Sequence, residues 1–110
     1  MKNSFYSALL NCMKNPVLVA DTNHIVIYMN TAAIKHYEEG EKLLGSNLLA
    51  CHNEDSQKMM IDILAEMQVG LDEKLITDNK KYRIFMRAVR DDTGKLIGYF
   101  ERYEPPRTAQ

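Results

Sequence analysis

Tryptophan is absent from this chain of 110 residues, and cysteine (two), proline (three) and glycine (five) are sparse. Cys12 and Cys51 lack both the density of a disulfide scaffold and the spacing of a zinc site, so packing must hold the fold. Such thiols suit a reducing compartment. No apolar stretch approaches the length of a membrane span, and residues 1–10 carry Lys2 but no continuous apolar core of a signal peptide. A cytoplasmic location without a membrane partner is therefore expected. A formal net charge of -1 provides no global attraction to polyanions, so direct nucleic-acid binding is not expected either. A paired-carboxylate motif, nucleophile elbow, phosphate loop and metal-spaced cluster are all missing, and the chain is not read as an enzyme.

What is present is ordinary globular composition, 45% hydrophobic and 26% charged, at a length that fits one domain. Phe5, Leu9 and Cys12 or Met13 recur at helical spacing after Ser4, a candidate N-cap, predicting an amphipathic helix over residues 4–13 that stops at Asn15-Pro16. Residues 17–21 and 25–30 read as strands meeting at a turn through Asn23 and His24, which places His24 in solvent. Residues 31–39 read as a helix capped by Asn30 or Thr31 and ended by Gly40, followed by irregular chain with one helical turn. From Asp55 or Ser56 to Val69, the apolar residues Met59, Met60, Ile63, Leu64 and Met67 share one helical face, with Gly70 as terminator.

Three further strands are predicted over residues 71–77, 81–90 and 96–103, with turns at Asp78-Asn79 and across residues 91–94. In the middle one, Tyr82, Ile84, Met86 and Ala88 form an apolar even-numbered stripe expected to face inward. Lys81, Arg83 and Arg87 share the odd face with Phe85 and Val89. Lys80, Lys81, Arg83, Arg87 and Arg90 read as a solvated basic face balanced by Glu101 and Glu104. Pro105-Pro106 ends the last strand, and residues 107–110 read as a tail. The expected division is a helix or cap over 1–14, a domain over 15–104 and a tail over 105–110.

Asn15-Pro16-Val17 opening a strand, Asn30-Thr31-Ala32-Ala33 entering a helix, Leu44-Gly45 after it and the run from Asp91 to Gly98 together resemble PAS domains. More narrowly, Cys51-His52 followed by Ser56 resembles the Cys-His-Pro-Pro-Lys-Ser segment of a PAS group found beside hemerythrin-like domains, with Asn53-Glu54-Asp55 standing where Pro-Pro-Lys would be. The resemblance implies an α+β fold: a PAS-like five-stranded antiparallel sheet with helices packed on one face and a short N-terminal helix. It also implies a sensory, signal-transducing role. A small molecule or cofactor would bind in the hollow between sheet and helices, and the change would pass to a dimer contact or to an output partner such as a kinase or transcription regulator.

His52, Cys51, Tyr28, His36, Met60, Met86 and Tyr82 are the candidate ligand-binding residues. His52 is also the candidate ligand for haem iron, because a neutral imidazole stands just before a Met-lined helix. Haem is the lesser reading, since family haem ligands commonly sit within the long helix, which here contains no histidine. A flavin is not expected: the flavin-binding group follows its cysteine with Arg-Phe-Leu-Gln, whereas Cys51 is followed by His52-Asn53-Glu54-Asp55. Phe5, Leu9, Phe85 and Val89 are the candidate dimer or partner surface. Two rival readings remain: an interaction module whose hollow is filled by its own side chains, and a thiol enzyme or redox sensor using Cys51.

Overall fold

The computed structural model describes residues 2–107, the side chains at positions 2, 3 and 51 excepted. Helix α1 (Lys2–Asn11) leads into strands β1 (Val17–Asp21) and β2 (Val26–Met29). Helix α2 (Thr31–His36), two single-turn 3-10 helices (Gly40–Leu43 and Leu48–Cys51) and the long helix α3 (Glu54–Gln68) follow. Strands β3 (Glu73–Asp78), β4 (Arg83–Arg90) and β5 (Leu96–Glu104) complete one antiparallel sheet in the order β2-β1-β5-β4-β3. Every helix after α1 is thus inserted between β2 and β3.

Period-two alternation decides which face these helices cover. Leu18 and Ala20 of β1, Met86 of β4 and Tyr99 of β5 pack in one core with Met60, Ile63, Leu64 and Met67 of α3. Each leucine, isoleucine or methionine among them, fully withdrawn from water, stabilises the fold by about 1.5–3 kcal/mol before entropy is counted. The even-numbered side chains of β4 do point inward: Ile84 and Met86 are buried, whereas Phe85 and Val89 are half-buried and Arg87 is exposed. Where β5 meets β1, a side chain at Gly98 would bring its Cβ within 2.4 Å of the Ala20 carbonyl oxygen. Only glycine permits that register.

Asn30 joins three elements from a fully buried position. Its Oδ1 accepts the N–H groups of Val17 (2.9 Å) and Ala33 (2.9 Å), and its Nδ2 donates to the carbonyls of Leu10 (2.9 Å) and Asn15 (3.1 Å). The expected N-cap of α2 is therefore also the clamp between α1, β1 and α2.

Several boundaries differ from the sequence reading for local reasons. Because α1 is already helical at Lys2, Ser4 lies within it and is not its cap. Helix α2 stops at His36 because Tyr37 adopts an extended conformation (φ -86°, ψ 136°) and turns inward. Helix α3 starts at Glu54, one or two residues early, because the Asn53 side chain accepts the Ser56 N–H. Glu54 and Asp55 then sit in its first turn, where they complement the helix dipole. Strand β4 starts only at Arg83, since the Asn79 side chain accepts the N–H groups of Lys81 and Tyr82 and holds them in a turn. Residues 71 and 72 precede β3, and Arg90 reaches over to donate to the carbonyls of Met67 and Leu71.

The other sheet face keeps Val19, Phe85 and Phe100 half-exposed among arginines. Arg102 ion-pairs with Glu73 and Glu104, Arg83 with Glu104, and Arg87 approaches Glu73 at 3.9 Å. The basic face is largely neutralised in place. Glu101, expected to contribute to that balance, does not: it points to the opposite side and is buried.

Candidate functional site

A cavity of about 370 Å³ lies between the sheet and the inserted helices. Helix α2 and its C-cap supply His36 and Tyr37. Ser56, Met59 and Met60 come from the first half of α3, and His52 from the C-cap of the 3-10 turn before it. Ile76 and Thr77 of β3, Tyr82 and Ile84 at the head of β4, and Glu101 and Tyr103 of β5 form the sheet wall. A wider groove of about 510 Å³ runs between residues 11–16 and α2, but no residue lining it is buried. The chemistry is concentrated in the smaller space.

At its centre is a hydrogen-bonded chain with one direction. The Tyr37 hydroxyl donates to Glu101 Oε1 at 3.0 Å and lies 2.8 Å from the Tyr103 hydroxyl. A hydroxyl has a single proton, so Tyr37, donating to the carboxylate, must accept from Tyr103. The protons thus run from Tyr103 through Tyr37 to Glu101. Burial disfavours the charged carboxylate and raises the Glu101 pKa, an effect only partly offset by the Tyr37 hydrogen bond. Burial, reinforced by the neighbouring Glu101 charge, drives the Tyr37 pKa well above the ordinary phenol value. Tyr103 is pushed up to about 12, chiefly by burial. Both phenols stay protonated at any physiological pH.

Around this chain the rings stand edge to face. The His36 and Tyr103 centroids are 5.2 Å apart, Tyr82 and Tyr103 5.3 Å, and His36 and Tyr82 6.1 Å, with interplanar angles between 62° and 77°. His36 is exposed and Tyr82 half-buried. His52 is held through its backbone, whose carbonyl accepts from Gln57 Nε2 at 2.8 Å, leaving the imidazole to the cavity.

Of the residues singled out from sequence, His36, His52, Met60 and Tyr82 line this cavity together. Met86 does not; it is fully buried in the core. Tyr28 is also elsewhere, its hydroxyl donating toward the Ser7 carbonyl (3.3 Å) and the Asn11 side chain (3.2 Å) of α1. The side chain of Cys51 lies outside the described residues. Glu101, Tyr37 and Tyr103 were not recognised in the sequence as site residues. The legible signal was parity, since residue 101 shares its side of β5 with Tyr99 and Tyr103, both buried.

His24 corrects a further expectation. Although it occupies the β1–β2 turn with a positive φ of 65°, it is buried and its Nδ1 is 2.8 Å from the Tyr99 hydroxyl. Burial lowers its pKa, favouring the neutral ring. The turn folds the imidazole back over the sheet, because Asp21 Oδ1 accepts the N–H groups of Asn23 and Ile25.

Among the described residues, no three His, Cys, Asp or Glu side chains converge as a metal site. Haem fits poorly. Two imidazoles border the cavity, but a macrocycle needs a broad apolar slot, and here the interior is crossed by the Tyr103–Tyr37–Glu101 chain. No helix among the described residues is long and apolar enough to cross a membrane.

The sequence profile of a family described as PAS domain matches residues 6–103. No curated protein matches the chain. Among solved structures, the C-terminal domain of a Streptococcus mutans protein superposes with a TM-score of 0.78 at 18% identity, covering 94% of this chain and 84% of that one. The PAS domain of Bordetella pertussis BvgS gives 0.65 at 14% identity, over 98% and 88% of the two chains. A sensory box sensor histidine kinase from Vibrio cholerae gives 0.62 at 12% identity, over 93% and 90%. At these identities the likeness is one of fold.

Proposed function

This chain belongs to the PAS domain family, whose members typically serve as sensory and signalling modules, and on that premise we propose that it is a non-catalytic sensor. A small ligand enters the cavity between sheet and helices, and the resulting shift in packing alters a dimer or partner contact on the outer face. One observation carries this reading: a buried carboxylate, the buried Tyr103 phenol and the half-buried Tyr37 phenol line a space large enough for a small molecule. Buried polar groups cost free energy, and a core built for stability alone would use apolar side chains there.

The likeness to a sensor histidine kinase supports a kinase or similar output partner, on this chain or another. The outer contact would use the half-buried Phe85 and Val89, with exposed Phe5 and Leu9 of α1. The test is mass spectrometry of the freshly purified protein under native conditions, with an absorption spectrum alongside. A bound small molecule that leaves on denaturation is the expected result. If the protein is bare, and stays so after incubation with cell metabolites, the sensor reading is overturned.

A second reading, an interaction module without ligand, is favoured by the exposed apolar side chains of α1, where Phe5 is 66% and Leu9 50% exposed. It predicts self-association or docking that is unchanged when the cavity is altered by Tyr37→Phe.

A further inference from the structure

The cavity offers acceptors and no cation. The Tyr103–Tyr37–Glu101 chain uses both phenolic protons within the protein, which leaves Glu101 Oε2 and the Tyr103 oxygen without a donor among the described residues. Glu101 is only 8% exposed, and no buried side-chain polar atom among the described residues lacks a partner, so the open Glu101 oxygen faces solvent in the cavity, which a ligand would displace. No lysine or arginine lines the space, and its basic groups are the imidazoles of His36 and His52 alone. The metal alternative fails, since no three ligand side chains converge among the described residues. The inclined rings of Tyr82 and Tyr103, with His36, line the same cavity as the carboxylate, and an ammonium group is attracted to aromatic faces.

We propose that the ligand of this cavity carries a primary ammonium group, which donates to Glu101 and Tyr103 and rests against the Tyr82 and Tyr103 rings. This inference rests on the sensor reading and narrows it to one ligand class. A primary ammonium suits the site better than a quaternary one because it has three protons to give to open acceptors. An anionic ligand would meet the Glu101 carboxylate with no counter-charge, and a neutral alcohol would forgo the charge-assisted bond. The ammonium would also hold Glu101 in its ionised form, which burial otherwise opposes.

The experiment titrates the whole chain with n-butylamine, n-butanol and butyrate, three probes of nearly equal size, following backbone amide resonances by NMR at pH 7. Butylammonium is expected to shift resonances around Glu101, Tyr103 and His52 saturably, and at least ten-fold more tightly than either analogue. Glu101→Gln, which keeps the Tyr37 hydrogen bond and the side-chain volume, should remove that preference while leaving the remaining spectrum folded. Equal binding of butanol or butyrate, an undiminished preference in Glu101→Gln, or no saturable shift at the cavity would each overturn the ammonium assignment. Native mass spectrometry separates this failure from that of the sensor itself: a co-purifying ligand without an amine sinks the class and spares the cavity.

Discussion

The substitutions Met86→Arg and Phe85→Arg put the same side chain on opposite faces of one strand. Met86 is fully buried against the α3 methionines, so its replacement forfeits a transfer term of about 1.5–3 kcal/mol. It also places an unpaired cation in the core, at an effective cost of several kcal/mol. Together these reach the lower part of the roughly 5–15 kcal/mol by which domains of this size are stable. Met86→Arg should therefore be largely unfolded at 25 °C. Phe85 instead lies beneath two guanidinium groups, Arg102 at 4.4 Å and Arg83 at 5.8 Å from its centroid. Removing the ring loses about 0.5–1 kcal/mol for each such contact. Glu73 and Glu104 stand close enough to temper the added charge. A cost of about 1–2 kcal/mol leaves the domain folded, and the new charge should weaken association through that face. Urea unfolding followed by circular dichroism reads the stabilities, and sedimentation velocity reads association. A folded Met86→Arg beside an unfolded Phe85→Arg would refute the inward placement of the even stripe, and with it the cavity.

Asn30→Ala removes one side chain that makes four hydrogen bonds and should cost about 2–4 kcal/mol, measurable as a lower urea midpoint at unchanged slope. A loss below about 0.5 kcal/mol would mean that Asn30 does not hold α1, β1 and α2 together. Glu101→Gln should change the pH dependence of stability in a set direction. Its folded pKa lies above the ordinary 4.5, so between that value and the folded pKa the native state retains a proton that the unfolded chain has released. The contribution is complete below pH 4.5 and is lost as pH rises through the folded pKa. Wild type should therefore lose stability relative to Glu101→Gln on going from pH 4.5 to 8, and a constant difference in unfolding free energy across that range would contradict the assignment.

The order of strands and helices was legible because each signal was local. The turn from Asp91 to Gly94, the proline stop after Asn15 and the 3.6-residue spacing of Met60, Ile63, Leu64 and Met67 need no knowledge of distant partners. So was the facing of β4, where apolar and basic residues alternate. The site was legible only in part. His36, His52, Met60 and Tyr82 were within reach because unusual residue types flank the helices, but Glu101 carries a charge and was read as a surface residue like Glu104. Its burial depends on a tyrosine 64 positions away in the chain, a pairing that periodicity does not encode. Tyr28 shows the reverse error, a hydroxyl suited to a ligand but already used by α1. His24 was misread because a turn with positive φ ordinarily projects its side chain into solvent, whereas Tyr99 supplies a partner inside.

Strand β5 gives the proposed sensor a physical route between its two faces. Along it, inward Tyr99, Glu101 and Tyr103 alternate with outward Phe100, Arg102 and Glu104, so the two sets share one backbone. Arg102 pairs with Glu73 and Glu104 while covering the Phe85 ring, which ties β3, β4 and β5 together on the outer face. A ligand that drew Glu101 from Tyr37 would free the residue whose inward turn ends α2, because that hydrogen bond helps to hold Tyr37 in place. The same displacement would be felt on the outer face of β5, where the backbone ladder to β4 fixes the register and the side chains of Arg83, Arg102, Glu73 and Glu104 are arranged over Phe85 by ion pairs and cation–π contacts. Those contacts are individually weak and partly exposed, so a small shift suffices to exchange them. A hydrophobic outer face locked by branched aliphatic side chains would resist such an exchange. In the proposed sensor, the salt-bridged arginines around Phe85 would let this face repack against a partner.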